Sequence, residues 1–154
     1  MLHHYGHRIR ILHWCTELTM SNTLAQMDLT GSQGRVVGFI SHQADPPCAK
    51  DIEEEFQLSH PTVSGILGRL ERKGFIEFFP DPEDRRCKRI ILREKGRQCL
   101  ALMDETIREN EQRMVRDFTP EEQRQFSELL ERAIINMGGN PCQRFDKEES
   151  NFND

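Results

Sequence analysis

The stretch Ser59–Gly96, SHPTVSGILGRLERKGFIEFFPDPEDRRCKRIILREKG, limits the fold more than any other part of the chain. Val63, Ile66, Leu67 and Leu70 fall at i, i+3, i+4 and i+7, the stripe of a helix that buries one side. Ser64, Arg69, Arg72 and Lys73 occupy the opposite side. Gly74 stands where such a helix needs its left-handed stop. Phe75 to Phe79 is aromatic and β-branched enough for a strand, Pro80 and Pro82 end it, and Lys88 to Leu92 return as a second strand. Asp81 to Arg86 form the polar tip between them. A helix followed by a cationic hairpin has the shape and charge to enter one groove of DNA and touch the next.

The flanking sequence supports that module. Ser59 is a good N-cap for the helix, and Pro61 fits its first turn, where a missing N–H costs nothing. A short helix from Cys48 to Phe56, with Ala49, Ile52 and Phe56 inward, precedes the Gln57-Leu58 turn; two helices so joined form a helix-turn-helix. Thr30 and Gln33 match a capping box that opens a further helix, with Val36, Val37 and Ile40 buried and its end near His42. Pro46 and Pro47 make Ala44–Pro47 a linker.

Toward the ends, Ile9–Met27 reads as a first helix with Ile9, Leu12 and Thr16 on one face. A long helix runs from Glu94 to Phe118 with Leu100, Met103, Ile107 and Met114 on one side. Thr119-Pro120-Glu121-Glu122 starts another, whose stripe is Phe126, Leu129, Leu130, Ala133, Ile134 and Met137, ending at Gly138-Gly139. The expected fold is mostly α with a small β-hairpin, an α+β single domain over residues 1–154. These end helices carry more apolar residues than one monomer needs. They either cover the central module or build a two-fold homodimer, and the dimer is the expectation here, because two-fold homodimers are the commonest oligomers and paired helix-turn-helix units gain from paired half-sites.

The formal net charge of −5 looks wrong for a nucleic-acid binder. Yet Ser59–Arg97 holds ten basic and six acidic residues, a local +4 that leaves −9 elsewhere. Phosphate feels the local excess, since charges beyond about 8–10 Å are screened at physiological salt. Outside the tail no apolar run approaches a membrane span, and MLHHYGHRIR lacks the apolar centre of a secretory signal, so a soluble cytoplasmic protein is expected. The five cysteines form no CxxC pair and read as reduced thiols. No nucleophile–base constellation appears, so no enzyme is expected and no catalytic residue is assigned. Neither a metal nor a cofactor is expected: His3, His4 and His7 read as an incidental terminal cluster.

Three runs carry a resemblance to a known family: Leu29-Thr30-x-x-Gln33, then Leu58-Ser59-x-x-Thr62-Val63-Ser64, then Leu70-Glu71-x-Lys73-Gly74. With Asp84-x-Arg86 and Leu92 they resemble the MarR family of winged helix-turn-helix transcriptional regulators, over about residues 7 to 137. The resemblance implies a winged helix-turn-helix DNA-binding module over about 30–97. It also implies dimerisation helices over about 7–27 and 97–137, with a polar tail at 138–154. It implies a dimeric DNA-binding regulator, mostly of the repressor kind, with the recognition helix in the major groove of a double-stranded operator and the wing in the minor groove. Release by small molecules, metals or oxidants is implied as well. Three departures stand out. Arg93 replaces the usual Thr cap, Gly65 and Gly68 interrupt the recognition helix, and Asp51, Glu53, Glu54 and Glu55 make the preceding helix acidic.

Within that frame Arg86 is expected in a narrow minor groove, oriented by Asp84 through a charge-assisted hydrogen bond; the alternative is a solvated turn. Arg85, Lys88 and Arg89 are expected on phosphates. Ser59, His60, Thr62 and Ser64 lie in the N-terminal half of the recognition helix, the end that meets base edges, although Ser59 doubles as a cap; Arg69 reaches phosphate. His13 and Trp14 are candidate small-molecule contacts, and Cys15 lies where peroxide-sensing relatives carry a reactive thiol. Tyr5 is the only tyrosine, so the usual tyrosine neighbours of such a thiol are missing. An interaction protein that keeps the fold without binding DNA is the other alternative.

Overall fold

The structure, a computed structural model, describes residues 4–84 and 86–142. Arg85, His3 and the tail beyond Cys142 lie outside the described residues. Element order is α1 (Tyr5–Gln26), α2 (Gly31–Ser41), α3 (Ala49–Phe56), α4 (His60–Arg72), β1 (Ile76–Pro80), β2 (Lys88–Leu92), α5 (Glu94–Met114) and α6 (Pro120–Asn136). β1 and β2 pair antiparallel with Ile76 opposite Leu92, Phe78 opposite Ile90 and Pro80 opposite Lys88.

The core is drawn mainly from α2, α3, α4 and the hairpin. Val37, Ile52, Val63, Leu70, Phe75, Ile76 and Ile90 are fully buried, with Val36, Ile66 and Leu67 beside them. The four-residue stripe of α4 is therefore its buried face, as its spacing requires. Gly74 adopts φ 81°, and the helix closes with Gly74 N–H donating to Glu71 O at 2.9 Å and Phe75 N–H to Leu70 O at 2.9 Å. That is the paired bond of a Schellman stop, which turns the chain directly into β1. Both capping boxes form: Thr30 with Gln33, and Thr119 with Glu122. The Thr119 N–H and hydroxyl that donate to Glu122 hold its carboxyl below the ordinary value.

The wing joins α5 without the missing threonine cap. Arg93 stands at the N-cap and makes no side-chain cap bond. Its N–H donates to Phe75 O at 2.9 Å, and Arg97 Nη1 closes the junction on Leu92 O at 2.8 Å. Gly96 is needed here, because a Cβ would lie 2.4 Å from the Phe75 carbonyl oxygen.

The terminal helices differ from expectation in where they begin and end. α1 starts at Tyr5 rather than Ile9, since no cap signal marks its beginning and His4 precedes it without a side-chain bond. α5 stops at Met114 rather than Phe118. The Ile9–Leu12 face is exposed, only Leu24 of α1 is buried, and α6 buries no residue at all. α5 packs on α1, and a Thr23–Thr106 hydroxyl bond of 2.8 Å joins them. No helix among the described residues is long and apolar enough to cross a membrane.

Candidate nucleic-acid interface

α3 and α4 are joined through Gln57, held at φ 51°, which turns the start of α4 outward. His60, Thr62, Ser64 and Arg69 are exposed on the side opposite the buried stripe. Ser59 is exposed too, but its hydroxyl bonds Thr62 Oγ1 at 2.8 Å and caps no backbone N–H, so its expected capping bond is absent. Thr62 competes successfully because it sits one turn on, on the same face. His60 Nδ1 lies 2.5 Å from Glu53 Oε1 of α3. A carboxylate only accepts, so Nδ1 is the donor and Nε2 is the nitrogen presented outward.

The hairpin is built around a residue that sequence reasoning passed over. Asp81 is buried to 7% exposure and accepts the Glu83 N–H at 2.8 Å, the Asp84 N–H at 3.4 Å and Arg89 Nε at 2.6 Å. The Glu83 N–H first, then Arg89, holds its carboxyl below the ordinary value, and Asp81 in turn raises Arg89. Arg89 also donates to Pro46 O at 3.2 Å. Arg89, expected on a phosphate, spends these two donors on the fold: its guanidinium ties the wing to the linker before α3. Asp84 is corrected similarly, since its Oδ1 accepts the backbone N–H of Arg86 at 2.9 Å and shapes the turn rather than gripping the guanidinium. The only signal for Asp81 was an Asp-Pro step at a strand end, and its partner is visible only once the register is known.

Other cations of the +4 segment also serve the fold. Lys73 pairs with Asp28 at 3.0 Å, Arg93 with Glu77 at 3.6 Å and Arg97 with Glu94 at 3.0 Å, while Lys95 caps Lys73 O at 3.0 Å and lies 4.5 Å above the Phe75 ring. Arg86 and Lys88 stay toward solvent and border one open groove. His60, Ser64 and Gly68 of α4 form one wall, Arg86, Lys88 and Phe78 of the wing another, and Lys50, Glu53 and Cys48 of the α3 segment the third. The structure thus brings His60, Ser64, Asp84, Arg86 and Lys88 together, and adds Lys50, a single cation in an acidic helix that the sequence did not single out. Gly68 keeps that wall low, since a Cβ there would meet nothing within the chain. His13, Trp14 and Cys15 sit apart, exposed on α1. Among the described residues no three His, Cys, Asp or Glu side chains form a metal-sized cluster.

Comparison with known proteins agrees with this geometry. A family model described as MarR family matches residues 27–86, from the end of α1 to the wing tip. The HTH-type transcriptional regulator YxaD of Bacillus subtilis is 30% identical over 106 residues, 67% of this chain and 74% of that protein. The HTH-type transcriptional repressor IacR of Pseudomonas putida is 25% identical over 118 residues, covering 77% of this chain and 70% of its own. Among solved structures, MepR of S. aureus in complex with DNA superposes with a TM-score of 0.75 at 30% identity, over 86% of this chain and 99% of that one.

Proposed function

This chain belongs to the MarR family of transcriptional regulators, and from that premise we propose that it acts as a homodimeric repressor of double-stranded DNA. The carrying observation is the shared groove: the polar end of α4 and the cations of the wing tip border one opening, set by a rigid core behind them. α4 enters the major groove with His60 and Ser64 at base edges and Ser59, Thr62 and Arg69 beside them. Arg86 takes the narrow minor groove, with Lys88 and Arg85 on phosphates. Lys50 adds a phosphate contact from α3.

Dimerisation is supported by the exposed apolar surface of α1 and α6. Ile9, Trp14, Leu129, Ile135 and Met137 are each at least 55% exposed, a cost that a second copy relieves. A small-molecule effector lodging near His13 and Trp14, between dimer base and reading module, lowers DNA affinity by shifting the spacing of the two recognition helices. Repression itself is favoured by the likeness to IacR, a named repressor. Hydroxyl-radical footprinting upstream of the chain's own gene tests the reading. Two protected half-sites about one helical turn apart are expected, and a single unpaired footprint or none overturns it.

A further inference from the structure

Cys48 and Cys87 are brought together by the register of the wing. Cys48 makes an antiparallel bridge with Arg89, and the Ile90 N–H donates to Pro47 O at 2.9 Å, so the segment before α3 runs beside β2. Cys87 precedes Arg89 by two residues and shares its face. The two thiols meet on that face, and both line the groove beneath the wing. Burial, then the neighbouring Cys48 thiol, pushes Cys87 above the ordinary thiol range. Both sulfurs are half-buried, whereas Cys99 is buried and Cys15 and Cys142 are exposed without a cysteine partner among the described residues.

We propose that Cys48 and Cys87 form a hydroperoxide-oxidisable dithiol whose closure to a disulfide weakens DNA binding; the DNA half of this rests on the function proposed above. Cys48, at the N-cap of α3, is the attacking sulfur. It attacks one peroxide oxygen, the O–O bond breaks, and the other oxygen leaves as water with the Cys48 proton, giving a sulfenic acid. Cys87 then attacks that sulfur, forming the S–S bond, and the expelled hydroxide takes the Cys87 proton as a second water. Two thiols lose two protons and two electrons, and one hydrogen peroxide becomes two waters.

The consequence follows from what Cys87 holds. Its N–H donates to Asp84 O at 2.9 Å and its carbonyl accepts the Asp81 N–H at 3.0 Å, so it closes the wing tip. A disulfide demands a fixed dihedral and a Cβ···Cβ separation of roughly 3.5–4.5 Å. Meeting it draws Cys87 toward α3 and turns its neighbours Arg86 and Lys88, the charges that face the groove.

The test uses the full chain, reduced and then treated with a slight excess of hydrogen peroxide. Non-reducing peptide mass mapping is combined with anisotropy titration of an A·T-rich duplex. A Cys48–Cys87 linked peptide two hydrogens lighter is expected, with affinity falling roughly tenfold and restored by a thiol reductant. Cys15→Ser should respond as the parent does, and Cys48→Ser and Cys87→Ser should each abolish the response. Thiols that stay unlinked, a linked peptide with unchanged affinity, or a response surviving Cys87→Ser would overturn the proposal. If the reduced chain ignores the duplex, the DNA reading fails, and the linked peptide alone decides the dithiol chemistry.

Discussion

Leu129 of α6 gives the proposed dimer a quantitative handle. It is 59% exposed in the single chain, on a helix that buries none of its own residues. Leu129→Ala removes an isopropyl group, and each buried carbon contributes about 0.8 kcal/mol. Re-covering the exposed 59% of that group in a dimer is worth about 1.4 kcal/mol per copy. A two-fold interface counts the site twice, so the substitution should cost about 2.8 kcal/mol of association, roughly a hundredfold in the dissociation constant. The folded monomer should change by no more than about 0.5 kcal/mol, because the side chain packs little within its own chain. Sedimentation equilibrium over a concentration series measures the first quantity and urea unfolding of the monomer the second. A variant that dissociates like the parent refutes the assignment of α6 to the interface. A variant that loses stability as a monomer refutes the premise that its face is free.

Three further outcomes follow from the wing and its junction. Arg86→Ala should weaken DNA binding roughly ten- to hundredfold and blunt preference for A·T-rich flanks; an unchanged anisotropy curve would remove Arg86 from the interface. Gly96→Ala should destabilise by about 1–3 kcal/mol, because its Cβ falls 2.4 Å from a backbone oxygen that cannot swing aside; an unchanged midpoint in urea would contradict that geometry. Asp81 has a lowered folded pKa, so its contribution is present above the unfolded carboxylate value of about 3.9 and is lost as pH falls through the lower folded value. The Glu83 amide resonance should therefore hold steady through weakly acidic pH and move only in stronger acid, a titration that Asp81→Asn abolishes. Movement at or above the ordinary carboxylate range would contradict the hydrogen-bonding account.

Much of the reading module was legible because its signals are local. The stripe from Val63 to Leu70 buries as its spacing demands, and the capping residues Thr30, Gln33, Thr119 and Glu122 make their bonds within one turn. Gly74 takes the left-handed stop within the same short range. Contacts that depend on register were not legible. Asp81 and Arg89 are eight positions apart and meet only because Phe79 pairs with Arg89 across the hairpin. Cys48 and Cys87 meet only because the linker runs beside β2. The outer helices are a separate case. Apolar stripes on α1 and α6 announce burial, and a stripe says nothing about whether its cover comes from the same chain.

The central claim is that paired cationic helices and wings neutralise DNA phosphates, and the salt dependence of affinity tests it most directly. Lys50, Arg69, Arg86 and Lys88 border the groove or stand exposed beside it. Titrating a duplex at a series of salt concentrations should give a straight line of log affinity against log salt, with a slope of roughly −0.9 per phosphate neutralised, about −7 where these four act in each copy of a dimer. A flat line, or no binding at the lowest salt, would contradict the account.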